Sequence, residues 1–202
     1  ALIVAHPGHE LRILGWVEQT RPQVFILTDG SGHTSHGRLP GTARILDQLG
    51  ASRGGVFGRF RDRDLYAALL DSQYDMFLNL AEELCDSLIA SDIDYVVSDA
   101  VEGYNPSHDV CALLVHTAVG LVWRRTHRRI AHFDFLLVGP PEECPPDLRS
   151  KAIWRQLDNA GLDRKLSAAA SIPELAYELQ AALSRSGRES FRVECCRPAR
   201  TL

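Results

Sequence analysis

The sequence predicts one α/β domain, a doubly wound and mostly parallel sheet with helices on both faces. Three observations predict it. Short apolar runs with the look of buried strands alternate with stretches of helical periodicity. The runs close on Pro, Gly, Asp or Ser, which stop a strand and turn the chain. The 202 residues, 45% hydrophobic and 24% charged, suffice for one substantial core of ordinary globular composition. Repeated strand–helix alternation gives right-handed crossovers and hence parallel pairing.

Leu2-Ile3-Val4-Ala5 is the first strand, and residues 10–20 follow as a helix with Leu11, Leu14 and Val17 on its apolar face. Pro22 ends it. Val24-Phe25-Ile26-Leu27 is the second strand, terminated by Thr28-Asp29-Gly30-Ser31-Gly32. Pro40 suits a helix start, and Ala43, Leu46 and Leu49 carry the apolar face to Gly50. Asp62 or Asp64 caps a long helix reaching about residue 91, whose stripe is Leu65, Leu69, Phe77, Leu80, Leu84 and Leu88. Tyr95-Val96-Val97 is the next strand and opens into the polar loop 98–107. Val110, Leu113, Leu114, Ala118 and Leu121 mark a further buried helix face, and residues 133–138 a further strand. The Pro- and Glu-containing segment 139–146 is the clearest break. Beyond it the pattern gives helices over 147–160 and 172–183 and a returning strand over 191–195. Residues 1–202 thus read as one domain, with a core over about 1–140 and an appendage over about 147–197.

Composition excludes several classes of function. A net charge of −4 offers nothing to nucleic acid or to an anionic membrane surface. The basic run from Trp123 to Arg129 suits the solvated C-terminal end of a helix. No apolar run approaches the roughly 18 residues needed to span a bilayer, and the opening strand lacks the flanks of a secretory signal. Five cysteines without a C-x-x-C pair read as reduced thiols of a cytoplasmic protein. No G-x-S-x-G elbow, phosphate loop or dinucleotide fingerprint is present. A small molecule is therefore the expected partner, and no heptad pattern indicates an oligomeric state.

Two segments carry chemistry. His6-Pro7-Gly8-His9-Glu10 leaves the first strand, and Glu102-Gly103-Tyr104-Asn105-Pro106-Ser107-His108-Asp109 leaves a later strand and opens a helix. Loops at the carboxyl ends of parallel strands share one rim, so His6, His9 and His108 are expected to converge. Three protein nitrogens with one open position is how a catalytic zinc is held, and such a metal acidifies water and polarises a carbonyl.

Over residues 1 to about 140, this order of motifs resembles the GlcNAc-phosphatidylinositol de-N-acetylase (PIG-L/LmbE-like) family. The resemblance rests on strand-Ala5-His6-Pro7-x-x-Glu10, on Thr28-Asp29-Gly30 after the first helix, on the 38–51 helix ending Leu49-Gly50-Ala51, and on Pro106-x-His108. It implies a Rossmann-like sheet, a zinc (Zn2+) cofactor and hydrolysis of an N-acetyl group. The family's A-H-P-D-D-E has become A-H-P-G-H-E, so Gly8 stands for the general base and His9 for an acidic ligand. Its H-P-D-H has become Asn105-Pro106-Ser107-His108. A three-imidazole site leaves zinc its full +2 charge and can bring bound water to a pKa near 7. Preformed hydroxide then offsets the missing base, or a carboxylate replaces it: Glu102 or Asp29, with Asp109 the third candidate.

The expectation is a zinc-dependent N-deacetylase acting on an N-acyl sugar or glycosylated small molecule. His6, His9 and His108 would hold the metal, Asn105 would steady the oxyanion, and Arg38, Tyr104 and Asp109 would contact substrate. The alternative is a catalytically altered relative that binds a small molecule as an accessory protein in a biosynthetic pathway. The 30–37 loop, with His33 and His36, is expected to act as a lid or to be merely a polar loop.

Overall fold

The structure, a computed structural model, describes residues 1–32 and 37–200; His33 and His36 lie outside them. Strand β1 (Leu2–Val4) leads through a 3-10 turn (His9–Ile13) into α1 (Leu14–Thr20). Then come β2 (Gln23–Thr28), α2 (Leu39–Leu49), β3 (Ser52–Phe60), α3 (Asp62–Leu70), α4 (Tyr74–Ala90) and β4 (Tyr95–Asp99). The long α5 (Pro106–Thr126) precedes β5 (Ala131–Phe135), a single turn α6 (Pro146–Arg149), β6 (Ile153–Gln156), α7 (Asn159–Ala170), α8 (Ala176–Ser186) and β7 (Val193–Pro198). One seven-stranded sheet results, in the order β3-β2-β1-β4-β5-β7-β6. β3, β2, β1, β4 and β5 pair in parallel; β7 runs antiparallel to both β5 and β6. The doubly wound α/β architecture is the one the sequence predicts.

Alternation along each strand divides the core between two faces. Ile3, Ala5, Phe25 and Leu27 pack with Leu80, Leu84 and Leu88 of α4 and Val115 and Val122 of α5. Leu2, Val4, Val24 and Ile26 face the other way, onto Trp16 and Val17 of α1 and Leu46 of α2. The chain winds outward from β1 in one direction through β2 and β3, and in the other through β4 and β5. The β1/β4 boundary is therefore the switch point, where diverging loops leave a crevice at the strands' carboxyl ends.

Several boundaries depart from the sequence pattern. β3 is a strand for which the sequence pattern offers no reading, being interrupted by Gly54, Gly55 and Gly58; a Cβ on Gly54 would stand 2.3 Å from the Phe25 ring. Glycine there lets an edge strand lie against β2. The single helix expected from residue 62 to 91 is two, because its apolar stripe lapses at Ser72 and Gln73 and Ser72 takes a left-handed turn (φ 53°). Leu113, expected in the core, is 48% exposed; Leu114 and Ala118 are buried as expected, and Cys111 and Val115 join them on that face. Residues 147–160 hold β6 and one turn of helix rather than a continuous helix. The returning strand lies at Val193–Pro198, two residues later than expected.

Candidate active site and metal centre

His6 lies two residues beyond the end of β1, His9 opens the next turn, and His108 sits in the first turn of α5. Their rings converge at the switch point. Centroids are 5.2 Å apart for His6 and His9, 5.1 Å for His6 and His108, and 4.5 Å for His9 and His108, all edge to face. Gly8 makes the bend between the first two. Its φ of 101° is open to glycine and strained for other residues, and its N–H donates to Glu10 Oε2 at 2.7 Å. Glu10 is fully buried and also accepts from Thr42 Oγ1 of α2, 2.7 Å away. Burial pushes its carboxyl upward, against the pull of those hydrogen bonds.

Two carboxylates orient the rings, and neither was singled out for this from the sequence. Asp99, wholly buried at the end of β4, places both oxygens 3.0 Å from His9 Nδ1 and accepts from Ala5 N–H. Burial alone would raise its pKa; the His9 charge and these hydrogen bonds hold it below the usual carboxylate range. Asp62, at the start of α3, lies 3.0 Å from His6 Nδ1 and accepts from Gly32 N–H. It too is held well below its ordinary value, burial being outweighed by the hydrogen bonds from His6 and around Thr28. Thr28 Oγ1 lies 2.6 Å from the same His6 nitrogen and donates to Ala5 O. An ionised carboxylate only accepts, so each Nδ1 carries a proton and donates it, which leaves Nε2 as the ring's other nitrogen for a ligand. His108 is pushed down to about 3, by burial first and then by the neighbouring His9 and His6, and stays uncharged at neutral pH.

The other expected residues divide between the cleft lining and the rim loops. Asn105 lines the cleft; its Oδ1 accepts from Ser107 N–H, capping α5, and from Tyr66 O–H at 2.8 Å. That leaves its amide NH2 as the group able to donate into the cleft. Tyr104, 71% exposed, and Arg38, ion-paired with Glu178 at 3.4 Å, stand on the lining. The carboxylates proposed as base replacements are engaged elsewhere. Glu102 accepts from the backbone N–H groups of Leu137, Val138 and Gly139. Asp29 accepts from Ser31 N–H, and Asp109 accepts from the N–H groups of Glu102 and Gly103. The three brace rim loops. The basic run is likewise taken up: Arg125 pairs with Asp86, Arg128 with Asp92, and Arg129 lies over Trp123.

Among the described residues, no group of three or more His, Cys, Asp or Glu side chains is already arranged to hold a metal ion. The ring spacing still matches what a loaded centre requires. Three imidazoles bound tetrahedrally through nitrogens about 2.0–2.1 Å from one zinc have centroids about 5 Å apart. Carboxylates on the opposite ring nitrogens are the usual outer partners of zinc-binding histidines.

No protein-family model and no curated protein sequence matches the chain. Solved structures do. The A40926 pseudoaglycone deacetylase Dbv21 aligns over 98% of this chain and 96% of its own, at 17% identity and TM-score 0.55. The zinc-inhibited form of the teicoplanin deacetylase Orf2 aligns over 98% and 97%, at 14% identity and TM-score 0.59. A triple mutant of a deacetylase from the teicoplanin biosynthetic pathway gives 98% and 96%, 15% and 0.60. The chain has the fold of these deacetylases.

Within this fold the turn at Gly8 has a local cause. A Cβ there would meet Leu175 Cδ1 at 2.9 Å. Leu175, from the turn before α8, covers the place where a side chain between His6 and His9 would project, and it belongs to a cluster with Leu11, Leu14, Ile45 and Ile172. Hydrocarbon occupies the ground beside the histidines. The cleft that opens there measures about 820 Å³, within the range of about 300–1,000 Å³ usual for small-molecule sites.

Proposed function

We propose that the chain is a zinc-dependent amide hydrolase that removes an N-acyl group from a sugar or glycosylated small molecule. The observation that carries this reading is the convergence of His6, His9 and His108 at the switch point, two of them held by Asp62 and Asp99. The fold shared with the A40926 pseudoaglycone deacetylase and the teicoplanin deacetylase supports the substrate class, and the zinc-inhibited form of the latter supports only that such a fold can bind zinc. His6, His9 and His108 would hold the zinc; when bound, it polarises the amide carbonyl and lowers the pKa of water. Asp62 and Asp99 fix the tautomers, so that Nε2 of His6 and of His9 are the nitrogens offered, and His108 meets a metal without first losing a proton. The Asn105 NH2 donates to the oxyanion, and its carbonyl is anchored by Ser107 and Tyr66 so that the amide cannot turn over. Arg38 and Tyr104 contact the polar part of the substrate.

A specific observation favours a second reading. The carboxylates proposed as bases are committed to rim loops, and Leu175 covers Gly8, which suits a protein that binds its small molecule without turning it over. Metal analysis and a deacetylation assay separate the two. The hydrolase reading expects close to one zinc per chain, loss of most of it in His9→Ala, and release of acetate from an N-acetylglucosaminyl substrate. Full zinc occupancy in His9→Ala would remove that ligand. A zinc-free wild-type chain that binds glycosides without hydrolysing them would establish the accessory reading.

A further inference from the structure

A second cavity, of about 250 Å³, opens between β4, β5, α5 and β7, and shares no lining residue with the histidine cleft. The β4–β5 register sets Ser98 beside Asp134, and His132, two residues earlier on β5, points to the same face. Ala112 and His116, four apart on α5, look onto them. Ser98 Oγ donates to Asp99 O at 3.2 Å, so His132 Nε2 is the donor in the 2.9 Å bond between His132 and Ser98. The acids on the lining are already engaged. Asp134 accepts from Arg197 Nε at 2.5 Å, and the Asp99 carboxylate is turned to His9 and Ala5 N–H. Two sets of donors are left over. Among the described residues, neither the terminal nitrogens of Arg197 nor the His116 ring makes a hydrogen bond. Yet the Arg197 side chain is only 18% exposed, and donors withdrawn from water cost free energy until an acceptor answers them.

From these unanswered donors we infer that the cavity is a second ligand site, for a small organic carboxylate with a compact apolar body. The free edge of a guanidinium presents parallel N–H groups that match the two oxygens of a carboxylate. Ala112, Pro145 and Leu148 supply hydrocarbon for the rest of the ligand. A second metal centre does not fit. The His116 and His132 centroids are 6.4 Å apart, against about 5 Å for two imidazoles on one tetrahedral zinc. The site is built on the two elements that place His9 and His108: Ser98 precedes Asp99 in β4, and His116 follows His108 along α5. The inference stands independently of the hydrolase reading, since it concerns different residues and no reaction.

The test titrates benzoate into the full chain by calorimetry, with neutral benzamide, of the same shape, beside it. One benzoate per chain is expected, and benzamide should bind about tenfold more weakly or worse, lacking the charge that the guanidinium pairs with. Arg197→Lys keeps a positive charge for Asp134 but loses the two-pronged edge, and should weaken benzoate by about tenfold or more. Ala112→Leu fills the cavity from the α5 side and should do the same, with melting curves checking that both variants fold. Should the leucine not be tolerated, Arg197→Lys decides the matter alone. Benzoate that binds the variants as tightly as the wild type sits elsewhere, in the histidine cleft for instance, and overturns the inference. Benzamide as tight as benzoate overturns the carboxylate class, and no binding of benzoate overturns the site. Each of these outcomes leaves the hydrolase reading where it stands.

Discussion

Gly8 sits where residue identity, backbone and chemistry meet. With φ at 101° and Leu175 Cδ1 placed 2.9 Å from a Cβ, Gly8→Asp introduces both left-handed strain and a buried charge against hydrocarbon. Destabilisation on the order of 2–3 kcal/mol is expected from backbone conformation and overpacking. Gly8→Asp should cost less in a Leu175→Ala background than in the wild type, since the steric part is gone there, and urea unfolding of Gly8→Asp, Leu175→Ala and the double variant measures it. If Gly8→Asp costs the same in both backgrounds, the backbone alone imposes the glycine. The three histidines were legible in the sequence because each follows or precedes an element whose end the pattern marks. Their partners were not. Asp99 ends a strand whose apolar run stops two residues earlier, at Val97, and a carboxylate there looks like the start of a polar loop. Asp62 looked like a helix cap, because the strand that delivers it to His6 is too rich in glycine to read as one. Glu102, Asp29 and Asp109 lie on the right loops, but nothing in a sequence tells whether a carboxylate faces a cleft or its own backbone.

At the scale of elements, the strands with continuous apolar runs were readable and the last third of the chain was not. β6 is four residues, alternately half-buried and exposed, and its sequence continues a helical pattern as readily as it forms a strand. What holds this part to the sheet is long-range. Glu194 of β7 accepts from the N–H groups of Gly15 and Trp16 at the start of α1, at 3.0 and 2.9 Å, and pairs with Lys165 of α7. Lys165 also donates to Arg12 O at 2.7 Å. Both side chains are almost fully buried. Neutralising one partner leaves the other a buried charge without its counterion, so Glu194→Gln should cost about 3–5 kcal/mol. Glu194→Gln/Lys165→Met should regain much of that, since the uncompensated charge leaves with the lysine. Urea midpoints of the wild type and the two variants decide it; a double variant no better than Glu194→Gln would show that the caps on α1, rather than the ion pair, carry the stability.

Across the whole molecule, buried titratable groups set how the fold responds to acid. His132 of β5 places Nε2 2.9 Å from Ser98 Oγ and faces the His116 ring, 6.4 Å away. Burial first, and the His116 charge second, bring its pKa from 6.5 down to about 4. Between those values the unfolded chain binds a proton that the folded chain refuses. Stability therefore rises with pH across the window and is lost as pH falls through it. His108 acts in the same sense, from 6.5 down to about 3, and Asp62 and Asp99, both depressed, add their share at still lower pH. Glu10, raised by burial, acts oppositely, taking its proton more readily in the folded chain. His132→Gln keeps a polar contact for Ser98 and removes one titrating group. Lowering the pH from about 7 to about 4.5 should cost the wild type about 2 kcal/mol more than the variant. Urea unfolding of the two proteins across that range gives the difference directly. It should grow steadily below about pH 6.5 and vanish above it; curves that stay parallel would place the acid sensitivity in His108 and the carboxylates around the cleft.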